Sequence, residues 1–252
     1  MRFIHASRPA PPTRPVGAGE RLVVLADRAD GLAARLAERP WRSLGLVLAL
    51  NASLAACFLA GGLALGDQAG LFREATPGTF LSCAALLLIA ATARAVHLRE
   101  LPGEPLRRGF FGLAAVAFAV FAFDEITQGA TFLGGLLHHE AGLRPAEGFH
   151  DLEAVLLTLL FATTALILLP RSLALLRHPH ALAPLAAGVA LGAASQTLDS
   201  FAPPTRWEFV AEEMLKLGAE AMLLGAFLVA LNGALRAGAG PPARKLPPEP
   251  RR

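Results

Sequence analysis

Long apolar stretches separated by polar or Pro/Gly-containing breaks organise the chain, and they cover approximately 43–65, 78–98, 109–131, 150–170, 180–200 and 208–235. A bilayer core about 30 Å thick needs roughly 20 apolar residues per helix, so this pattern predicts six transmembrane helices. Helices apolar on every face leave too little polar surface to cover a soluble core built from them. The expected fold class is therefore all-α, a polytopic integral membrane helical bundle over 43–235.

The ends read differently. Residues 1–42 open with Pro9, Pro11, Pro12 and Pro15, and then Leu22, Leu25, Ala29, Leu32 and Leu36 recur at helical spacing among Arg and Asp. That predicts a Pro-rich cytoplasmic start followed by an amphipathic helix over 19–38 on the inner membrane surface. The basic, Pro-rich tail over 236–252 reads as a disordered cytoplasmic segment.

Composition agrees with the lipid-facing reading: 54% of the 252 residues are apolar and 17% are charged. A net charge of +3 would hint at nucleic acid in a soluble protein, but the arginines flank apolar stretches and form no continuous basic face. Threading six helices places Arg28, Arg35, Arg39, Arg42, Arg94, Arg99, Arg107, Arg108, Arg171, Arg177 and Arg236 on one side, and Arg73, Arg144 and Arg206 on the other. The positive-inside rule then puts both termini in the cytoplasm, with the inner (plasma) membrane as the expected location and lipid as the first partner. Cys57 and Cys83 fall inside apolar segments and read as small hydrophobes.

Ionisable residues within such segments are costly in lipid and normally face a partner or water. They gather toward one end. The third stretch carries Asp124 and Glu125, the fourth begins with His150, Asp151 and Glu153, the fifth ends with Ser195, Gln196 and Asp199, and the sixth begins with Glu208, Glu212 and Glu213 and continues to Lys216 and Glu220. The opposite halves of the same stretches are almost entirely Ala, Leu, Val, Phe and Gly. A polar cavity opening to the extracytoplasmic side is the expectation, with Asp124, Glu125, Glu153, Asp199, Glu212, Glu213, Lys216 and Glu220 as candidate ligand-binding residues. Spacings of three and four let Lys216 pair with Glu212 or Glu213 above and Glu220 below, either as a tuned charge or as a neutralising clamp. Asp124 and Glu125 point about 100° apart on a helix, so Asp124 is assigned to the cavity and Glu125 to a neighbouring helix.

His138, His139 and Glu140 fall in the predicted third outer loop, and His150 begins the next helix. His150 and His139 with carboxylates form the candidate set for a divalent metal, although without a recognisable ligand spacing solvated loop histidines explain them better. His97, His178 and His180 fall on the cytoplasmic side as interfacial charge, and no two helices place His at matching depth for haem. Gly188 and Gly192, four apart, mark a face where the fifth helix can pack closely on a neighbour.

Phe123-Asp124-Glu125, Leu198-Asp199-Ser200 and Glu212-Glu213-Met214-Leu215-Lys216-Leu217-Gly218 together resemble a group of bacterial multi-pass membrane proteins of uncharacterised function. These carry an acidic pair in one helix and an E-[ED]-x-x-K-x-G helix. In that group His-Glu follows the acidic pair within two turns, whereas here Ala130-Thr131 stands there and His-Glu comes only at His139-Glu140. A more distant similarity is to ceramidase-like membrane hydrolases, which would imply zinc bound by histidines; the paired late histidines of those enzymes are missing from this chain. Three function classes follow: a transport-related or binding cavity for a cation, proton or small polar ligand; a metal-dependent intramembrane lipid hydrolase; and a structural or assembly protein whose ion pairs fix helix register.

Overall fold

The computed structural model describes residues 18–66, 77–99, 105–144, 152–168, 171, 178–202 and 205–238. Eight helices form the fold among them: α1 (Ala18–Ala37), α2 (Pro40–Leu65), α3 (Pro77–Arg99), α4 (Pro105–Thr127), α5 (Gly129–His139), α6 (Leu152–Leu168), α7 (Pro179–Phe201) and α8 (Arg206–Gly238). Four of them start on a proline, whose fixed φ and missing N–H suit the first helical turn. The start of α8 is held by a reciprocal cap. The Glu208 N–H donates to Thr205 Oγ1 at 3.0 Å, and the Thr205 N–H donates to Glu208 Oε2 at 3.3 Å.

Five helices, α2, α3, α4, α7 and α8, are long and apolar enough to cross a membrane, while α6 is a shorter apolar helix. α8 is the central element, packed on α7, α3, α2 and α1, and it and α3 are the most buried of the five. The main apolar core lies toward the end of the bundle away from the acidic residues, where Phe110, Phe111, Ile89, Val96, Leu228 and Leu231 meet. Phe111 and Phe227 approach edge to face at 6.1 Å, and Phe110 and Phe227 stack at 6.4 Å.

Three features depart from the sequence pattern. The stretch expected as one helix over 109–131 breaks at Gln128, whose φ of 53° and ψ of 41° are left-handed, and α5 continues from there. His138 and His139 consequently close the last turn of a helix instead of occupying a loop, because Gly129–His139 is apolar enough to propagate a second helix. The N-terminal helix does more than rest on a surface. Ala33 and Ala37 are fully buried in the core, the Asn232 side chain donates to Ala37 O at 2.6 Å, and Arg94 pairs with Asp30 at 2.7 Å.

The expected small-residue contact falls on Gly188. A Cβ there would stand 2.7 Å from Leu223 Cγ on α8, whereas at Gly192 it would meet Ala219 Cβ at an ordinary 3.7 Å. Gly233 plays the same part at the other end of α8, where the His178 ring occupies the space a side chain would need. The residues expected as a disordered start (1–17) and most of the tail (239–252) lie outside the described residues.

Candidate functional site

A single face of α8 carries Glu208, Glu212, Glu213, Lys216 and Glu220 over about 18 Å, at a rise of 1.5 Å per residue. The C-terminal ends of α4 and α7 and the N-terminal end of α3 surround it, because these helices run alternately up and down the bundle. Between them lies a cavity of about 430 Å³. Among the described residues, Asp124, Glu125, Asp199, Glu208, Glu212, Glu213 and Glu220 contribute seven carboxyl groups to its lining, and Lys216 is the one basic residue.

Lys216 is central to the arrangement. Its Nζ donates to Glu213 Oε1 at 2.9 Å, one turn back on α8, and to Glu125 Oε1 at 3.0 Å, across on α4. The clamp therefore ties two helices together as well as neutralising charge. Glu220 turns instead to α3, where the fully buried Ser82 Oγ donates to its Oε1. Its other oxygen, Oε2, is buried with no hydrogen-bond partner among the described residues, and the residue as a whole is 4% exposed. A carboxylate oxygen in that position is costly unless a donor or a cation meets it.

The acidic pair divides its work along the expected lines, Asp124 at the cavity and Glu125 reaching the neighbouring α8, with two additions. Both residues line the cavity, but Asp124 Oδ1 accepts the Ala130 N–H at 3.0 Å, holding the break that starts α5, while Glu125 forms the ion pair. The left-handed Gln128 lets the chain turn back so that Asp124 can act as a cap. On α7, Gln196 Nε2 donates to Asp199 Oδ2 at 3.1 Å, and Ser195 Oγ donates to the Glu212 carbonyl at 3.1 Å, fastening the acidic end of α7 to α8.

Of the candidate residues, the structure brings Asp124, Glu125, Asp199, Glu212, Glu213, Lys216 and Glu220 to one cavity. Glu153 belongs to the first turn of α6, with its side chain outside the described residues, and His150 lies outside them altogether. His139 is exposed at the end of α5, its ring 5.1 Å from that of His138, and is not among the cavity residues. Among the described residues no group of three or more His, Cys, Asp or Glu is arranged to hold a metal ion.

Sequence reasoning missed Ser82 and Asn51. The buried Asn51 on α2 donates to the Leu217 carbonyl of α8 at 3.1 Å. Both are small polar residues set among apolar neighbours within a membrane-length helix, and that alone is the signal: such side chains in membrane helices hydrogen-bond to a neighbouring helix.

Five apolar helices of membrane-crossing length, with ionisable groups turned toward each other inside, are consistent with a multi-pass integral membrane protein in a lipid bilayer. The chain matches no protein-family model, no curated protein and no solved structure.

Proposed function

We propose that this chain is a cation-binding membrane protein whose acid-lined cavity opens to the extracytoplasmic side of a bacterial inner membrane. The observation that carries this reading is the imbalance inside the cavity, where, among the described residues, seven carboxyl groups face one lysine that already engages two of them. Carboxylates grouped between low-dielectric walls focus a negative field and concentrate positive counter-ions.

In this reading α6 is the sixth crossing, and the basic residues at the other end, Arg39 before α2, Arg42 in its first turn, Arg99 at the last position of α3 and Arg236 at the close of α8, mark the cytoplasm. The orientation has its own test. With Cys57 and Cys83 replaced by alanine, Thr205→Cys is expected to react with a membrane-impermeant maleimide on intact spheroplasts, and Arg236→Cys only after lysis. The reversed pattern would turn the cavity toward the cytoplasm.

The binding reading is tested by thermal unfolding of purified protein titrated with chloride salts of inorganic and organic cations at fixed ionic strength. A ligand that binds only the folded state raises stability with its concentration, by about 2.7 kcal/mol at a hundred times its Kd. The expected result is a saturable rise for at least one cation that is lost in Asp199→Asn/Glu212→Gln. No rise with any cation, or an equal rise in the variant, rejects the proposal.

A further inference from the structure

We infer that the cation held by this cavity is a primary ammonium ion bearing a short apolar group, with Glu220 as its deep anchor. The inference rests on the cation-binding reading and narrows it to a ligand class.

Part of the cavity lining is apolar and aromatic. Leu86, Phe118, Phe121, Leu157 and Phe161 line it, with the Phe121 and Phe161 rings 4.8 Å apart and Phe118 and Phe121 edge to face at 6.2 Å. A hard inorganic cation takes a shell of oxygen ligands and gains little from such a lining. An alkyl- or arylammonium ion uses both parts, placing its charge on the carboxylates and its carbon chain against the rings. At about 430 Å³ the cavity also has room for a small organic molecule.

The lower end of the acidic column specifies the head group. Ser82 occupies Glu220 Oε1, and Oε2 is left buried without a partner among the described residues, so a ligand that completes the site brings an N–H donor there. A primary ammonium has three donors, whereas a fully methylated one has none. The protein already uses this chemistry once, since the Lys216 ammonium is an alkylammonium held at 3.0 and 2.9 Å between Glu125 and Glu213. A ligand amine at Glu220 would repeat that pairing one turn further along α8.

The test is isothermal titration of detergent-purified protein with n-butylammonium, 2-phenylethylammonium and n-butyltrimethylammonium chlorides, against potassium and magnesium chlorides at matched ionic strength. The primary amines are expected to bind, 2-phenylethylammonium the more tightly. Trimethylation of the butyl compound, or Glu220→Gln, is expected to weaken binding about tenfold or more. Butylammonium and its trimethyl analogue are compared on the native protein, so the outcome holds even where Glu220→Gln fails to fold. Binding of inorganic cations alone overturns this inference and leaves the cation cavity standing; binding of none of the cations removes both. Equal affinity for the primary and trimethylated ligands, or an unchanged affinity in folded Glu220→Gln, overturns the role of Glu220.

Discussion

Lys216→Met is expected to lower the stability of the folded bundle by about 2–4 kcal/mol. The change leaves Glu125 and Glu213 facing each other across α4 and α8 without the ammonium that both now accept from. Breaking a buried pair by removing one partner costs more than replacing the whole set, because the survivors keep their burial and lose their compensation. The lower part of the usual range is appropriate because the Lys216 side chain is still 28% exposed, so water screens part of the loss. Unfolding of the variant in mixed micelles, followed by circular dichroism, measures the effect.

The triple variant Lys216→Met/Glu125→Gln/Glu213→Gln is informative in the opposite direction. With charge removed as a set, most of the lost stability is expected to return. If the triple variant also keeps its cation response, these pairs serve only to join α4 to α8. A variant that recovers stability while its cation affinity drops would instead assign the trio a part in the field that attracts the ligand. A loss below about 0.5 kcal/mol for Lys216→Met alone would mean that the ion pairs contribute little to the fold.

The site was legible in the sequence along one coordinate and illegible along another. Depth along the membrane normal follows from where a residue falls within its apolar stretch, so Asp124, Glu125, Asp199 and the acidic face of α8 could be assigned to a common end. Rotation of each helix about its own axis depends on tertiary packing. Spacing alone allowed Lys216 to pair with Glu212, Glu213 or Glu220, and it could not show that Glu125, 91 residues away in sequence, is the cross-helix partner. Nor could it show that Glu220 turns to Ser82 on α3.

The same distinction explains the fold. Hydrophobic length located the five long helices to within a few residues, since the need to satisfy backbone groups in lipid leaves few alternatives to helix. It failed at Gln128 because the apolar pattern runs through the break: Phe132, Leu133 and Leu136 continue what Phe121 and Ile126 began. The available sign was Gly129 beside Gln128, with Asp124 four residues before Gln128 to accept a freed N–H. A cap formed by a residue inside the preceding helix gives no periodicity signal.

Phe111→Ala is expected to cost about 2–4 kcal/mol, toward the low side of the range for removing a buried aromatic ring. Phe111 is fully buried, and its ring meets Phe110 at 5.1 Å and Phe227 at 6.1 Å. In a membrane bundle the unfolded helices already lie in an apolar solvent, so the transfer part of the penalty falls away and lost packing against a cavity remains. The consequence reaches the site through Phe227. That ring also contacts Phe118 at 5.7 Å, and Phe118 lines the acidic cavity. The aromatic cluster therefore joins the apolar core to the cavity, and the variant separates two roles for it. A fall in unfolding midpoint with cation affinity unchanged would make Phe111 a packing residue alone, whereas a parallel loss of affinity in folded protein would show that the rings hold Phe118 in place against the ligand.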